Sequence, residues 1–351
     1  MTKEKAKTKY KVRILEASEA ELWDDFVDRS QNGTLFHKYG WMKAAEKQSN
    51  THFYPLVCEK DGEGIISAFP VFIMKKMFLK LLFSPPPGCA IPYLGPVFSF
   101  SSNKEHRIET DLFNTVEAYE LFIKSNYKPD YEYLLTSFYD VRIFKWLGYK
   151  VEPSYTYRLL LNECCDTIYS NFDKNIRNKI KKIQSSHEVE IKSAGLDSTE
   201  RLLNDIKQRY MELDRYFKPG KDYLGDLIEI YGDDNLNLYE CIVDGQYQTS
   251  FITIEYKNNV KFWLGGVHSN RITNGIIETI HWNNIVNASK RTFDYYERVG
   301  ANTRHLCENK SRYGLKPVIY FTVEKWSNIG KIFYNIYQKY LEKRQAKENH
   351  A

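Results

Sequence analysis

Four acidic or histidine side chains in the second half of the sequence could transfer a proton. His268 stands just after a predicted strand, and its side chain titrates nearest to neutral pH. Asp294, between two aromatic residues, and the glutamates Glu255 and Glu297 are the other candidates for a general base. A histidine in a loop, or an aspartate that bonds backbone amides, would equally explain two of these positions. The order of residues shows no Ser-His-Asp triad, and Cys307 has no clear histidine partner, so we assign no covalent nucleophile.

Two features could hold a ligand. Gly265-Gly266 lies at the end of a predicted strand, where the absence of side chains lets a ligand approach the backbone closely. A bulge or crowded packing would require the same two glycines. Arg177 lies on a basic helix and could clamp a phosphate or carboxylate with two parallel hydrogen bonds, although charges on such a helix are commonly solvated.

The elements that must position these residues occur twice in the chain. The pattern C-x-x-D-G followed by a serine begins at Cys58 and again at Cys241, and each copy predicts a hairpin turn. Two further echoes follow in the same order in both halves: Ile108-Glu109-Thr110 with Ile277-Glu278-Thr279, and Leu147-Gly148 with Tyr313-Gly314. A repeat this long indicates two similar domains rather than a solenoid.

Periodicity and turn signals predict an α/β protein with mixed sheets. The first half is predicted to begin with a strand near Tyr10, followed by a helix that a Ser18-x-x-Glu21 capping box opens. The second half is predicted to begin with one helix from Ile168 to Gln184 and to continue in the order αα-βββ-α-β-α-β. We predict domains at residues 1–161 and 162–325, and an amphipathic helix and tail at 326–351 that docks on the body of the protein.

Composition limits the classes of protein. The 351 residues leave room for two domains, and a formal net charge of +5 is too small to indicate a nucleic-acid-binding protein by itself. The sequence shows no signal peptide, no apolar run long enough to span a bilayer and no Cys/His array, so we expect a cytoplasmic protein without a structural metal. Val71 to Phe83 is apolar but interrupted by three lysines, which predicts a strand pair with a basic edge or a patch that contacts lipid or an anionic substrate.

The predicted order of elements resembles the GNAT acetyltransferase fold, and two such units in tandem resemble FemAB-like proteins. That group includes the peptidoglycan-bridge aminoacyltransferases and the smaller BioF2-like acyltransferases. Four motifs are similar: Phe36-His37-x-x-Gly40-Trp41, the basic helix around Arg177, Phe293-Asp294-Tyr295, and Lys310-x-x-Tyr313-Gly314. The last matches the family's Phe-Lys-x-x-Phe-Gly, with asparagine in place of the first phenylalanine.

The resemblance implies roles for several residues. Lys310 would lie near the reacting centre or near a phosphate of the acceptor, where a cation could steady the developing oxyanion, although an ordinary surface lysine would equally explain it. Asp294 is the family-like candidate for the base, and His268 is a candidate because of its own titration range. The implied substrate-binding residues are Arg177, Arg312, Tyr313, His37, Tyr39 and Trp41, although Trp41 could equally plug the core between the domains. The implied donor-binding residues are Gly265, Gly266, Arg271 and Gly275. The spacing from Arg271 to Gly275 departs from the usual CoA phosphate loop, which puts CoA in doubt.

The resemblance therefore implies an N-acyltransferase that acts on an amino group of an anionic cell-envelope or surface-polymer precursor, which could be a small molecule or linked to glycan or lipid. The co-substrate would be acyl-CoA or aminoacyl-tRNA, and no cofactor would be bound permanently. The Fem bridge enzymes carry a long charged helical arm that this sequence lacks, which favours the smaller acyltransferase type. Transfer from tRNA, peripheral membrane contact and a catalytically inactive binding module remain alternatives, and the sequence leaves the oligomeric state open.

Overall fold

The computed structural model describes residues 9–232, 234–265, 272–300 and 303–332. The strands are β1 (Tyr10–Ile14), β2 (His52–Lys60), β3 (Gly64–Lys76), β4 (Leu79–Ser84), β5 (Val97–Phe98), β6 (Tyr131–Thr136), β7 (Lys150–Leu160), β8 (Val189–Ser193), β9 (Leu236–Val243), β10 (Gln246–Tyr256), β11 (Asn259–Gly265), β12 (Tyr295–Arg298) and β13 (Lys316–Trp326). The α-helices are α1 (Ala20–Arg29), α2 (Tyr39–Ser49), α3 (Glu105–Asn126), α4 (Arg142–Trp146), α5 (Cys165–Ser170), α6 (Lys174–Ser186), α7 (Asp197–Met211), α8 (Lys221–Tyr231), α9 (Ile276–Lys290) and α10 (Arg304–Ser311).

Both halves of the chain contribute to one mixed sheet. Its strand order is β1-β2-β3-β4-β6-β13-β7-β12-β11-β10-β9-β8, with β5 paired to β3. The order is symmetric about its centre, because β4 pairs with β6 in parallel on one side and β11 pairs with β12 in parallel on the other. The sheet confirms the predicted mixed α/β class and the predicted similarity of the two halves.

The two central strands are exchanged between the halves. β7, which ends the first half, pairs with β12 of the second half, while β13, which ends the second half, pairs with β6 of the first. β7 and β13 also pair with each other along nine residues, from Arg158–Lys316 to Lys150–Glu324. The predicted boundary at residues 161 and 162 stays a prediction, since each half completes the sheet of the other.

The two predicted hairpin turns are present. Asp244 and Gly245 have φ angles of 48° and 76°, which place both residues of the β9–β10 turn in the left-handed region. Such two-residue turns match the twist of antiparallel strands, and Asp-Gly is a preferred sequence for them. The turn at Asp61-Gly62 likewise joins β2 to β3.

The largest hydrophobic core lies between the halves. Trp41 from α2 and Trp263 from β11 both belong to it, and their rings are 5.1 Å apart. The Trp41 indole nitrogen donates to the Tyr223 hydroxyl at 3.1 Å, and its backbone nitrogen donates to the Tyr231 hydroxyl at 3.1 Å. Both tyrosines lie on α8, so α2 of the first half is held to α8 of the second half.

Several predicted details were wrong. The capping box at the first helix is formed by Glu16 and Glu19, not by the predicted serine and glutamate. The predicted helix from 168 to 184 is two helices, because the chain breaks before Asp173, whose side chain accepts from the Asn175 backbone nitrogen at 2.8 Å and starts α6 anew. β8 and α8 were not predicted as separate elements. Most of the predicted C-terminal helix lies outside the described residues.

The segment from Val71 to Phe83 forms a hairpin of β3 and β4, as the first of its two interpretations predicted. Its tip is exposed, with 88% of Met77 and 58% of Phe78 accessible, and exposed Lys75, Lys76 and Lys80 surround it. Contact of this tip with lipid or an anionic substrate stays a prediction. Across the ranges that the structure describes, no helix is both long and apolar enough to cross a membrane.

Candidate functional site

Strand β11 extends beyond its parallel ladder with β12. The two strands pair from Asn259–Tyr295 to Phe262–Arg298, where β12 ends, and β11 continues to Gly265 with no further ladder partner on that side among the described residues. A Cβ atom on Gly265 would lie 2.8 Å from the Phe262 ring, so the close ring alone requires glycine here. Backbone groups that leave a ladder in this way are free to bond a ligand.

Lys310 on α10 holds the end of β12 in place. Its side chain is buried, and its Nζ donates to the carbonyl oxygens of Arg298 at 2.8 Å, Val299 at 2.7 Å and also Gly300. Three acceptors match the three N–H bonds of an ammonium group. Burial, followed by the nearby charge of Arg298, lowers the pKa of Lys310 to about 7.

A buried polar wall lies behind this strand end. The Arg298 guanidinium lies 4.7 Å from the centre of the Tyr313 ring and donates to the Asn309 side chain at 3.2 Å. Burial raises the pKa of Tyr313 to about 12. On the same wall, Nδ1 of His281 lies 2.7 Å from the Tyr296 hydroxyl, and burial, with the charges of Arg298 and Lys310, keeps the pKa of His281 well below its usual value.

On the opposite face of β12, Glu297 is fully buried and is the centre of a charge cluster. Its carboxylate accepts from Lys261 at 2.5 Å, Tyr93 at 2.8 Å and Arg158 at 3.1 Å. The Asn259 and Thr156 side chains each donate to it at 3.1 Å. Burial alone would raise the pKa of Glu297, but the charges of Lys261 and Arg158 lower it to about 2. A carboxylate so held is a poor proton acceptor near neutral pH.

The parallel pair of strands in the first half, β4 and β6, has no buried lysine at the corresponding position. There the loop after β4 returns to fill the opening between β4 and β6, with Leu94 bridged to Thr136 and Gly95 tight against the same threonine. Leu147-Gly148 corresponds to Tyr313-Gly314 in the repeat, and three residues before each stand Phe144 and Lys310. Phe144 is buried in an apolar core. The buried lysine is therefore a difference between the two halves at this position.

Other predicted site residues lie apart from Lys310. Asp294 is at the opposite end of β12, where its side chain accepts from Asn258 at 2.8 Å. Arg177 donates to the Ser170 carbonyl at the end of α5, so part of the hydrogen-bonding capacity of its guanidinium is already used. Arg312 is exposed, and its backbone carbonyl accepts from the Asp173 nitrogen at 2.8 Å. Glu255, named as a possible base, is bonded by both terminal nitrogens of Arg291 at 2.7 and 2.5 Å.

The three residues predicted to line an acceptor cleft do not form one surface. His37 and Trp41 are fully buried, and Trp41 plugs the core between the halves, as its alternative interpretation predicted. His37 Nδ1 accepts from the Thr34 nitrogen at 3.2 Å, and burial lowers the His37 pKa to about 4. Tyr39 is half-buried, with its backbone nitrogen bonded to Asp24 at 2.7 Å. A direct contact of His37 or Trp41 with an acceptor would require movement of the core.

The donor-binding residues are described only in part. Gly266, His268 and Arg271 lie outside the described residues, so their predicted roles stay predictions. Gly275 has a φ angle of 102°, and a Cβ atom there would lie 2.8 Å from Ile183 on α6, so packing between α6 and α9 requires this glycine. The Thr273 nitrogen donates to the Gln248 side chain at 2.9 Å. In the described part of this loop, these groups serve the protein's own packing rather than an open phosphate cradle.

Residues Arg298, His281 and Tyr296 were missed as site residues by the sequence analysis. Tyr296 and Arg298 face the wall because alternate residues of a strand face the same side, but only the position of Lys310 marks that side as important. His281 lies on α9 among apolar residues, where a histidine in a sequence gives no distinguishing signal. Among the described residues, no group of three His, Cys, Asp or Glu side chains could hold a metal ion.

Residues 170–305, which make up most of the second half, match the model of the acetyltransferase (GNAT) domain. The chain is similar in structure to FemX, with 11% identity, 93% of this chain and 99% of that chain covered and a TM-score of 0.68. L-PGS from Bacillus licheniformis is similar with 8% identity, coverage of 89% and 92% and a TM-score of 0.53. A tandem GNAT protein from the clavulanic acid biosynthesis pathway is similar with 8% identity, coverage of 90% and 98% and a TM-score of 0.52. No curated protein sequence matches the chain.

Proposed function

We propose that this chain, with its tandem GNAT fold, is an N-acyltransferase of FemAB-like type. It transfers an acyl or aminoacyl group to an amino group of an anionic cell-envelope or surface-polymer precursor. The observation that carries the proposal is the position of Lys310, which is buried at the end of β12 where the two parallel strands of the GNAT domain separate. The first half has Phe144 at the position that corresponds to Lys310, so in this proposal it contributes to the fold and holds no second reaction centre.

The chemistry follows from what the separated strands can bind. The carbonyl of the donor lies between β11 and β12, where Gly265 and its neighbours offer backbone groups without a ladder partner on that side. The acceptor nitrogen forms a bond to the carbonyl carbon, and the ester or thioester bond of the donor breaks. The acceptor nitrogen loses a proton, and the leaving oxygen or sulfur takes up a proton. The charge of Lys310 faces the negative charge that grows on the carbonyl oxygen and lowers the energy of that state.

Two donors fit this proposal, acyl-CoA and aminoacyl-tRNA. The used hydrogen bonds of Thr273 and the tight packing of Gly275 argue against a CoA phosphate cradle in the described part of the loop. Helices α5 to α8 pack on the body of the fold as short elements, the longest of 15 residues, and the described residues contain no long helical arm of the kind expected for binding tRNA. A salt titration with charged and uncharged tRNA separates the donors, because contacts to phosphates give a steep dependence of affinity on salt.

The acceptor in this proposal is an anionic precursor, either small or linked to glycan or lipid. A net charge of +5 favours anionic partners over cationic ones. Two proteins of similar fold are FemX and L-PGS. The proposal places the protein in the cytoplasm, where both kinds of activated donor are made.

The test is product formation, measured by mass spectrometry with acetyl-CoA, longer acyl-CoA and charged tRNA as donors and amine-bearing envelope precursors as acceptors. We expect turnover by the wild type, loss of at least a hundredfold in Lys310→Ala, and an unchanged rate in Lys192→Ala, which alters an exposed lysine on β8. Wild-type rates in Lys310→Ala would remove this lysine from the reaction. The absence of turnover with every donor, together with tight binding of a precursor, would favour a catalytically inactive binding module.

A further inference from the structure

A second opening lies between the two halves. It is a cavity of about 310 Å³, which is within the size range of small-molecule sites. One wall is the connection between α1 and α2, from Gln31 to Thr34, and the other walls come from β7, the β10–β11 turn, β12 and the start of β13. Both halves of the duplicated chain therefore contribute to it.

The lining of this cavity is positively charged. Arg158, Lys257 and Lys261 line it, and its other lining residues are neutral. Glu297, which lies beneath the lining, offsets one of these charges through its ion pairs with Lys261 and Arg158. Lys257 is held at the rim, with its Nζ bonded to the carbonyls of Val27 at 3.0 Å and Ser30 at 2.6 Å. An excess of positive charge thus faces the cavity.

Arg158 has hydrogen-bonding capacity left over. One terminal nitrogen donates to Glu297 at 3.1 Å, whereas Nε has no hydrogen-bond partner, and 29% of the side chain is exposed. The Asn259 side-chain oxygen, on the same lining, also lacks a partner. Buried polar atoms without partners are uncommon, and beside a cavity they have hydrogen-bonding capacity that a ligand can use. The Tyr256, Tyr295 and Tyr320 side chains complete the lining with aromatic surface.

This cavity is separate from the end of β11 and β12 where Lys310 lies. Trp263, two residues after Lys261 on the same face of β11, stands between them, and its indole nitrogen donates to the Ala90 carbonyl at 2.8 Å. The centre of its ring lies 5.1 Å from that of Trp41 and 6.1 Å from that of Phe36. Because this aromatic cluster is part of the packed core, a molecule in the cavity would not lie between the separated strands.

We propose that the cavity is a second ligand site, which binds a small anionic molecule through a phosphate or carboxylate group. The guanidinium of Arg158 takes the anionic group by two hydrogen bonds, and the side-chain amides and tyrosines contact the rest of the molecule. Phosphate and carboxylate share the geometry that a guanidinium recognises, so the structure assigns this shared chemistry and the experiment separates the two. The site does not depend on the proposed transferase activity.

The test uses the full chain without any acyl donor. The melting temperature is measured against increasing inorganic phosphate, pyrophosphate, acetate and succinate, each at an ionic strength matched with sodium chloride. A ligand that binds only the folded state raises the melting temperature in a saturable way. We expect such a rise with at least one phosphate or one carboxylate probe, and the probe that gives it identifies the anionic group.

Variants locate the binding. Arg158→Met removes the guanidinium but leaves Glu297 bonded to Lys261, and we expect the apparent dissociation constant to increase at least tenfold. Ser137→Phe places a ring in the cavity without removing a charge and should have the same effect. Arg142→Met, at an exposed ion pair elsewhere, and Lys310→Met should bind as the wild type does. The proposal is overturned if none of the four probes raises the melting temperature beyond sodium chloride, or if both cavity variants keep the wild-type response.

Discussion

The Nζ atom of Lys310 lies 2.7 Å from the carbonyl oxygen of Val299, and this contact joins α10 to the end of β12. Two further carbonyls, those of Arg298 and Gly300, complete the set of acceptors. A lysine with 5% of its surface exposed is costly to bury unless it is well bonded. The contact explains how one side chain fixes the backbone at the end of β12, where its ladder with β11 stops.

Lys310 should make stability depend on pH in the alkaline range. Its pKa is lowered to about 7, whereas the unfolded lysine titrates near its ordinary value. Above pH 7 the unfolded chain therefore binds a proton that the folded protein has lost, and the free energy of unfolding increases with pH up to the unfolded pKa. We expect an increase of about 2 kcal/mol between pH 7 and pH 9 in the wild type relative to Lys310→Met, measured by urea denaturation. Lys192→Met, on the surface, should follow the wild type, and parallel curves for all three proteins would contradict the lowered pKa.

Trp41 should be essential to the stability of both halves together. It is fully buried between them, so Trp41→Ala should lower the free energy of unfolding by about 3 to 5 kcal/mol. Trp146, with 64% of its surface exposed, is the matched control, and Trp146→Ala should cost less than about 1 kcal/mol. Because the halves share a sheet and a core, one cooperative transition is expected in urea. Two separate transitions, with only one shifted by Trp41→Ala, would contradict the shared core.

Gly275 and Gly225 should respond to alanine with opposite signs. Gly275 has a φ angle of 102° and a Cβ there would clash with Ile183, so Gly275→Ala should destabilise the protein by about 2 kcal/mol. Gly225 lies within α8 with open space around it, so Gly225→Ala should stabilise the protein by about 0.5 to 1 kcal/mol. Thermal melts of both variants give the comparison. If both substitutions changed the stability by the same amount, the contact between α6 and α9 would not require Gly275.

The tip of the β3–β4 hairpin should bind anionic membranes if its exposed side chains serve that purpose. Met77 and Phe78 would enter the interface while Lys75 and Lys76 meet the lipid charges. We expect sedimentation with vesicles that contain phosphatidylglycerol, little with neutral phosphatidylcholine vesicles, and a loss of at least fivefold in the double variant Met77→Asp with Phe78→Asp. Leu213→Asp, at another exposed apolar residue, should bind normally. Equal binding of the double variant would place the membrane contact elsewhere.

Much of the local structure could be predicted from the sequence. The Asp-Gly turns, the alternating strands and the apolar face of Ile176, Ile180 and Ile183 are encoded by residues close together in the chain, and all are present. The break between α5 and α6 was missed because the apolar period continues through it. It depends on Asp173, which serves as a helix cap, and caps are a weaker signal than periodicity.

The site was harder to predict. The motif marked Lys310 and Tyr313, which the structure brings together with the end of β12. His37 and Trp41 were assigned to a cleft but lie in the core, because the sequence shows that a residue is aromatic but not which surface covers it. Arg158, on β7, reaches Glu297 of the other half only because the central strands are exchanged.

By itself the sequence determined the duplication and the mixed α/β class, since these depend on composition, period and short motifs, and a motif singled out Lys310 as a candidate. Only the tertiary structure decided which strands pair at the centre of the sheet, and with them the buried Glu297 cluster and the charged cavity. The physical reason is that most of these contacts join residues more than a hundred positions apart, as those of Tyr93 and Arg158 with Glu297 do. Their free energy comes from mutual burial, which no local pattern records.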